Sequence, residues 1–327
     1  MSKAKEKLKI GKFVSNWAAV IAIIVLLLVF IIAMPTQFAT SSNLITILRS
    51  ISITTVLAMG LTVTLAVGGF DLSTGNMATM SSFIFMSLII WYGTNIWLSA
   101  FAAIIVTIVL TLFTMFLVIV CKIPDLLATC AIMFFLDGLS LTYSGGGAIS
   151  AGMPLPNGTA SVGSIPAALK TIGTSPTIII IMLVCVLFVF VLLNYTKFGR
   201  YIYATGGNKT AAQLSGIPVK RYRLYAGIIA AVFIGIAGIL VASRNQSAQI
   251  QGAVGFSMPA LSAVFIGRSV AGAQKPNAIG SLLGAILVGI LDNGLVMMGV
   301  PYYSLNVIKG IVLALALASA YYGTKEE

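Results

Sequence analysis

Ten apolar runs follow one another along the chain, most of them close to the twenty residues that carry a helix across a bilayer. They cover residues 17–34, 44–67, 77–92, 97–120, 127–143, 176–194, 224–243, 256–272, 279–298 and 304–322. Few folds accommodate such a succession. In hydrocarbon every backbone N–H and C=O must be paired within the protein, so only helices or closed barrels span. Runs of this length suit helices. Composition agrees, with 59% of residues hydrophobic and 8% charged, against roughly a quarter charged in a soluble domain. The sequence therefore predicts an all-α, polytopic membrane protein of about ten transmembrane helices, forming a single domain over residues 1–327.

The same composition excludes whole classes of chemistry. The chain has no histidine, hence no imidazole base and no histidine-based metal site. Cys121, Cys130 and Cys185 lie far apart in or beside apolar runs and match neither a zinc spacing nor a redox pair, so no metal is expected. A phosphate-cradling G-x-x-x-x-G-K-[ST] loop is missing: Gly163 to Thr171 comes nearest but is one residue too long and carries Leu169 where glycine is required. No catalytic residue and no bound cofactor are expected. The pI near 9.7 does not signal nucleic acid, because the basic residues form no single stripe.

Their distribution instead sets orientation. With the N-terminus inside, fifteen of the 19 basic residues fall in inside segments and three, Arg49, Lys170 and Arg244, fall outside, with Lys309 in the last run. An excess of Lys and Arg on the cytoplasmic side then implies ten spans with both termini cytoplasmic. The lysine-rich N-terminus before the first run has no clear small-x-small cleavage site after Met34 and reads as a retained anchor. Residues 144–175, rich in Gly, Ser and Pro, become an external loop, an irregular cover over the outer mouth or a linker. Residues 197–223 become a cytoplasmic loop.

That cytoplasmic loop carries the most information. Gly206-Gly207 is expected to break the chain, Asn208 to cap a helix of about two turns over Lys209 to Ser215, Gly216 to take the left-handed C′ position, and Pro218 to stop continuation. So short a helix is marginal alone and needs something to pack on. Ala211, Ala212, Leu214 and Ile217 would suit a shallow groove on a partner. Against this stands a basic loop lying on anionic lipid headgroups.

The stretch FGRYIYATGGNKTAAQLSGI, residues 198–217, closely resembles the cytoplasmic coupling loop of ribose-type (monosaccharide) ABC importer permeases, a bacterial inner-membrane family. The resemblance extends to GGFDLSTGN (68–76) and to IGSLLGAILVGILDNGLVMMGVPYYSLNVIKG (279–310), and so over nearly the whole chain. It implies a permease that forms the translocation path, with Gly206, Gly207, Asn208, Ala211, Ala212, Leu214, Ser215 and Gly216 meeting a separate cassette ATPase that uses ATP and Mg. It also implies a substrate-binding protein, periplasmic or lipid-anchored, and a second permease copy, identical or related; the ATPase can be a tandem fusion. Two departures stand out: Thr210 where the family usually has glutamate, and Gly267-Arg268-Ser269-Val270 where it tends to have Gly-Gly-Thr-Ser.

Polar groups at membrane depth need a reason, because a charge there costs about 2.5–3.5 kcal/mol even on lenient scales. Asp71, Ser73, Asn76, Asp137, Asn293 and Lys309 are candidates for the path. Asp71 or Ser73 can equally cap the third helix, and Asp292 can pair with Lys309 on the next span. Gly280, Gly284 and Gly289 serve close helix packing. Arg244, Asn245, Gln246 and Gln249, after the seventh run, suit sugar hydroxyls or docking of a delivery protein. Other readings are an ABC permease for nucleosides, furanone signals or branched-chain amino acids, and an ion-coupled secondary transporter using Asp71, Asp137 or Asp292.

Overall fold

The computed structural model describes residues 2–268, 270, 275–301, 303–311 and 314. Its helices are α1 (Ser2–Ala33), α2 (Ser41–Ala66), α3 (Thr74–Ile90), α4 (Ile96–Ile119), α5 (Asp125–Ser144), α6 (Ala167–Ile172), α7 (Thr177–Tyr195), α8 (Lys197–Gly207), α9 (Lys209–Leu214), α10 (Val219–Asn245), α11 (Ser257–Gly267) and α12 (Ala278–Met297). Residues 303–311 are also helical. Two short strands, β1 (Ile149–Ser150) and β2 (Ser247–Ala248), and a 3-10 turn at Val254–Phe256 complete the described elements.

Every predicted run starts in or beside a helix. Among the described residues α2, α4, α5, α7, α10 and α12 are long and apolar enough to cross a membrane, and Ala19–Ala33, Thr74–Ile90 and Val254–Gly267 are shorter apolar helices. Leu183, Val184 and Leu187 on α7, and Phe101, Val109 and Phe116 on α4, are exposed. Bare apolar faces of this kind are tolerated in lipid and not in water. The chain is thus a multi-pass helical membrane protein. Ser269, the tenth run beyond 314 and Lys325 lie outside the described residues.

The fold divides into two compact units, 1–51 with 259–327, and 52–258. In the first, α1 packs on α12. Gly280 and Gly284 bring α12 so close to Gly267 and Ala263 of α11 that a methyl group on either glycine would overlap a backbone carbonyl. This is the close packing predicted for these glycines.

The second unit is built around α3, which is buried along nearly its whole length between α4, α5 and α10. Four of its small polar residues, Thr79, Ser81, Ser82 and Ser87, fit because each donates to a backbone carbonyl. Ser81 Oγ donates to the Gly235 carbonyl at 3.0 Å, and on α4 Thr107 Oγ1 donates to Ala231 O at 3.0 Å. Glycines 227, 235 and 238 of α10 leave room for these approaches.

The segments joining these helices gather at two opposite ends. At one end the Phe70 N–H meets Asp125, Arg223 meets Asp125, and Gly206 abuts Gly68. At the other, β1 pairs antiparallel with β2 (Ile149 opposite Ala248), the Gly163 N–H donates to Ile90 O at 2.8 Å, and Trp91 packs on Tyr143 with ring centroids 5.6 Å apart. Within residues 52–258, the linking segments that the charge distribution places inside, 68–76, 121–126 and 195–223, fall with the first group, and residues 144–175 and 246–248 with the second. The loop of residues 144–175 is no loose linker: β1, buried Leu169 of α6 and the zipped strand pair hold it.

One segment departs from expectation. The sequence places the residues between the runs 224–243 and 256–272 outside, in a loop leading into the eighth span. Instead the Ala253 N–H donates to Thr79 Oγ1 at 3.1 Å, and Ser257 packs against Gly75. Both partners lie in the first two turns of α3, at the end opposite β2. The chain therefore descends from β2 as irregular backbone, and α11 begins deep within the unit, eleven residues long. Such backbone survives at depth only against protein or a water-filled cavity.

Candidate functional site

At the end marked by Gly68 and Asp125, α8 and α9 form the body of the 197–223 segment. Asn208 caps α9 as predicted, its Oδ1 accepting from the Ala211 N–H at 3.0 Å. The C-terminus closes with both bonds of a Schellman motif: Gly216 N–H to Gln213 O at 2.9 Å and Ile217 N–H to Ala212 O at 3.0 Å, with Gly216 at φ +79°. Ser215 is the residue between them.

Two expectations for this loop are corrected. Gly206-Gly207 does not break the chain: both are the last residues of α8, capped at its start by Thr196 Oγ1 accepting from Gly199 N–H at 3.1 Å. The break falls at Asn208. Glycine is needed at 206 for proximity, because a Cβ there would overlap the Ala66 carbonyl at the end of α2. Second, Ala212 does not face outward. It is 4% exposed, while Leu214 is 86% exposed and Ala211 is also bare. A helix of this length needs one face anchored, and α9 anchors through Ala212 while packing on α8 and α10. Leu214 and Ala211 are left for a partner.

Beneath α8 lies a polar clamp that sequence reasoning missed. Asp125, the first residue of α5, takes Arg223 Nη2 on both oxygens, at 2.6 and 2.5 Å, and accepts the Phe70 N–H at 3.1 Å. Thr129 Oγ1, one turn on, accepts the Leu72 N–H at 3.3 Å. Arg223 was counted only as part of the basic loop, and no local pattern joins residues 98 positions apart. The turn after α2 is thereby tied to α5, α10 and, through Gly68 against Gly206, to α8.

Asp71 and Ser73 sit in that turn. Asp71 Oδ1 accepts both the N–H (2.8 Å) and the hydroxyl (2.6 Å) of Ser73, the residue preceding α3. Burial pushes the Asp71 carboxyl above its ordinary value, the Ser73 bonds oppose the shift, and the nearby Asp125 adds to it. Its visible role is to shape the turn before α3; Ser73 stands at the N-cap position but makes no side-chain cap bond to the helix. Asn76 is buried in the first turn of α3. Asp137 lies much further along α5, where Gln251 Nε2 donates to both its oxygens at 3.1 and 3.3 Å.

In the other unit Lys309 pairs with Asp292 at 2.8 Å, as expected, and Asn293 Oδ1 is buried without a hydrogen-bond partner among the described residues. Beside the β1–β2 pair Arg244 and Asn245 close α10, Gln246 takes a left-handed C-cap (φ +53°), and Gln249 Nε2 donates to Ser247 Oγ at 2.8 Å. Arg244 and Gln246 are half-buried beside the strand pair, while Asn245 and Gln249 are exposed. Among the described residues no cluster of acids and cysteines could hold a metal ion.

Comparison of the sequence with known proteins identifies its relatives. Residues 43–317 match the family described as branched-chain amino acid transport system / permease component. The chain is 29% identical to the ribose import permease protein of Haemophilus influenzae, covering 100% of this chain and 99% of that one. It is 30% identical to the ribose import permease protein of Escherichia coli, covering 91% of each. It is 26% identical to the L-arabinose transport system permease protein of Escherichia coli, covering 98% and 95%. The family match spans most of the sequence, including the capped α9 and the clamped turn before α3, and the chain therefore belongs to the branched-chain amino acid transport system / permease component family.

Proposed function

We propose that the chain is the transmembrane permease subunit of a bacterial ATP-driven importer and that its cargo is a monosaccharide. It lies in the cytoplasmic (inner) membrane as one domain of ten spans, with both termini and the α8–α9 segment in the cytoplasm. A separate cassette ATPase, as a single or a tandem chain, uses ATP and Mg. A periplasmic or lipid-anchored binding protein delivers the sugar, and a second permease copy completes the path. This chain binds no cofactor or nucleic acid of its own. Full-length likeness to ribose and arabinose permeases supports the sugar.

The observation that carries the mechanism is the pairing of an exposed, doubly capped α9 with a rigid connection inward. A push on Leu214 and Ala211 would move α8 with α9, and Gly206 bears directly on the backbone at Ala66 and Gly68. From there the turn leads through Asp71 and Ser73 into α3, the buried centre of its unit. Asp125 and Arg223 keep that turn from absorbing the movement.

The test uses two substitutions of the same kind on opposite faces of α9. Leu214→Glu alters a bare side chain and should leave the permease's unfolding midpoint unchanged while abolishing co-purification with the ATPase. Ala212→Glu forces a carboxylate into α9's own anchor and should lower the permease's stability by about 2 kcal/mol. If Leu214→Glu retains the ATPase and transports normally, α9 is not the coupling element.

A further inference from the structure

The Asp137–Gln251 contact is unlike the other described acid contacts of this unit. Asp125 is neutralised by Arg223, and Asp71 is enclosed by its own turn. Asp137 is half-exposed, and among the described residues no basic side chain pairs with it. It lies about 18 Å along α5 from Asp125 and about 10 Å from the outer end at Ser144, hence at hydrocarbon depth. Lipid cannot be its neighbour, because an aspartate is too short to reach the headgroups and an unpaired charge facing acyl chains is too costly.

The position on α5 fits this. Phe134, Phe135 and Leu127 form the bare apolar face of the helix, and Asp137 sits at the edge of that face. There the irregular segment descending from β2 comes alongside. Gln251, itself exposed and held at φ +53°, turns its amide onto both carboxylate oxygens. Two residues on, the same segment is fastened to Thr79. The descending segment and α5 thus present a planar carboxylate–amide pair at mid-depth. Spare carboxylate lone pairs and the amide oxygen can accept, and the second amide hydrogen can donate.

We propose that Asp137 and Gln251 line the translocation path and take up vicinal hydroxyl groups of a passing monosaccharide. The proposal rests on the permease reading and deepens it. A polyol suits the pair because its hydroxyls both donate and accept. Contact with one acid and one amide is weak enough to release the sugar inward, as conduction requires.

The test is made in cells expressing the permease with its ATPase and binding protein, in a background where Cys121, Cys130 and Cys185 are replaced by serine. Asp137→Cys, Gln251→Cys and, on the opposite edge of α5, Phe135→Cys are each treated with a membrane-impermeant methanethiosulfonate. D-ribose and L-arabinose are the protecting sugars, and their uptake is measured in parallel. The thiols at 137 and 251 should react, and the sugar that the wild type accumulates should slow both reactions several-fold. The thiol at 135 should not react. Asp137→Asn should lower uptake roughly tenfold at unchanged membrane level, the effect of losing one charged hydrogen-bond acceptor.

If the wild type accumulates sugar but neither thiol reacts, the face is covered by protein or lipid and the proposal is wrong, while the permease reading stands. Reaction at equal rates with and without the imported sugar also overturns it. If the wild type accumulates neither sugar, the sugar assignment falls and this proposal with it.

Discussion

A Gly206→Ala permease should import at roughly a tenth of the wild-type rate or less and unfold about 1–3 kcal/mol more easily, the usual cost of overpacking. The added methyl group would overlap the Ala66 carbonyl oxygen and press on the Gly68 nitrogen, both backbone atoms that cannot rotate away. Gly207→Ala supplies the control. It lies next along α8, has ordinary negative φ, and a Cβ there meets nothing within 4 Å. Alanine is the better helix former by roughly 0.5–1 kcal/mol, so Gly207→Ala should be neutral or slightly stabilising. Both variants gain the same propensity, and the difference between them measures the close approach of α8 to the turn. Urea or thermal unfolding in detergent and sugar uptake in cells provide the two readings. Equal behaviour of the two variants would mean that the Gly206–Gly68 approach neither stabilises nor transmits.

The second large effect concerns the clamp. Arg223→Ala leaves Asp125 with the Phe70 N–H as its remaining described side-chain contact, in a site where both partners are mostly buried (14% and 20% exposed). Breaking one side of such a pair costs about 3 kcal/mol, most of it the penalty for the charge left behind. The double variant Arg223→Ala/Asp125→Asn removes that charge and keeps an oxygen for Phe70, so it should recover much of the loss. A double-mutant cycle on unfolding free energies should therefore give a coupling of about 1–3 kcal/mol. Additive losses would show that the ion pair does not hold the turn.

Particular residues show how far the sequence is legible. Apolar runs located the helices because a bilayer permits little else, and the α9 caps were readable because Asn208, Gly216 and Pro218 each act on backbone within a few residues. The lysines and arginines predict an orientation, and the linking segments of residues 52–258 that they assign to different sides gather at different ends.

What escaped was non-local. The face of α9 could not be assigned, since Ala211 and Ala212 are identical in kind and only the packing on α8 and α10 separates them. The stretch from Phe198 to Gly207 looked loop-like because glycines stand near both its ends. It is nevertheless helical, with Gly199, Ile202 and Thr205 buried on one side. The Asp125–Arg223 pair spans 98 positions with no motif between them. The descent of residues 249–257 was hidden because Gln, Gly and Ser at a span's edge read as an outer loop, and only Thr79 and Gly75 show where they go.

The central claim is that ATP, acting through a partner on α9, drives sugar through this chain. In the ion-coupled alternative the work would fall to membrane carboxylates: Asp292 is paired with Lys309 and Asp71 bonds Ser73, which leaves that role to Asp137, whose carboxylate bonds only the Gln251 amide among the described residues. The most direct measurement is uptake of D-ribose and L-arabinose into proteoliposomes, made once with permease, cassette ATPase and binding protein together and once with permease alone. Mg and ATP are supplied on the ATPase side, or else a proton or sodium gradient is imposed. Accumulation in the complete system that needs hydrolysable ATP and ignores the gradients is the predicted result. Accumulation by the permease alone under either gradient would contradict it.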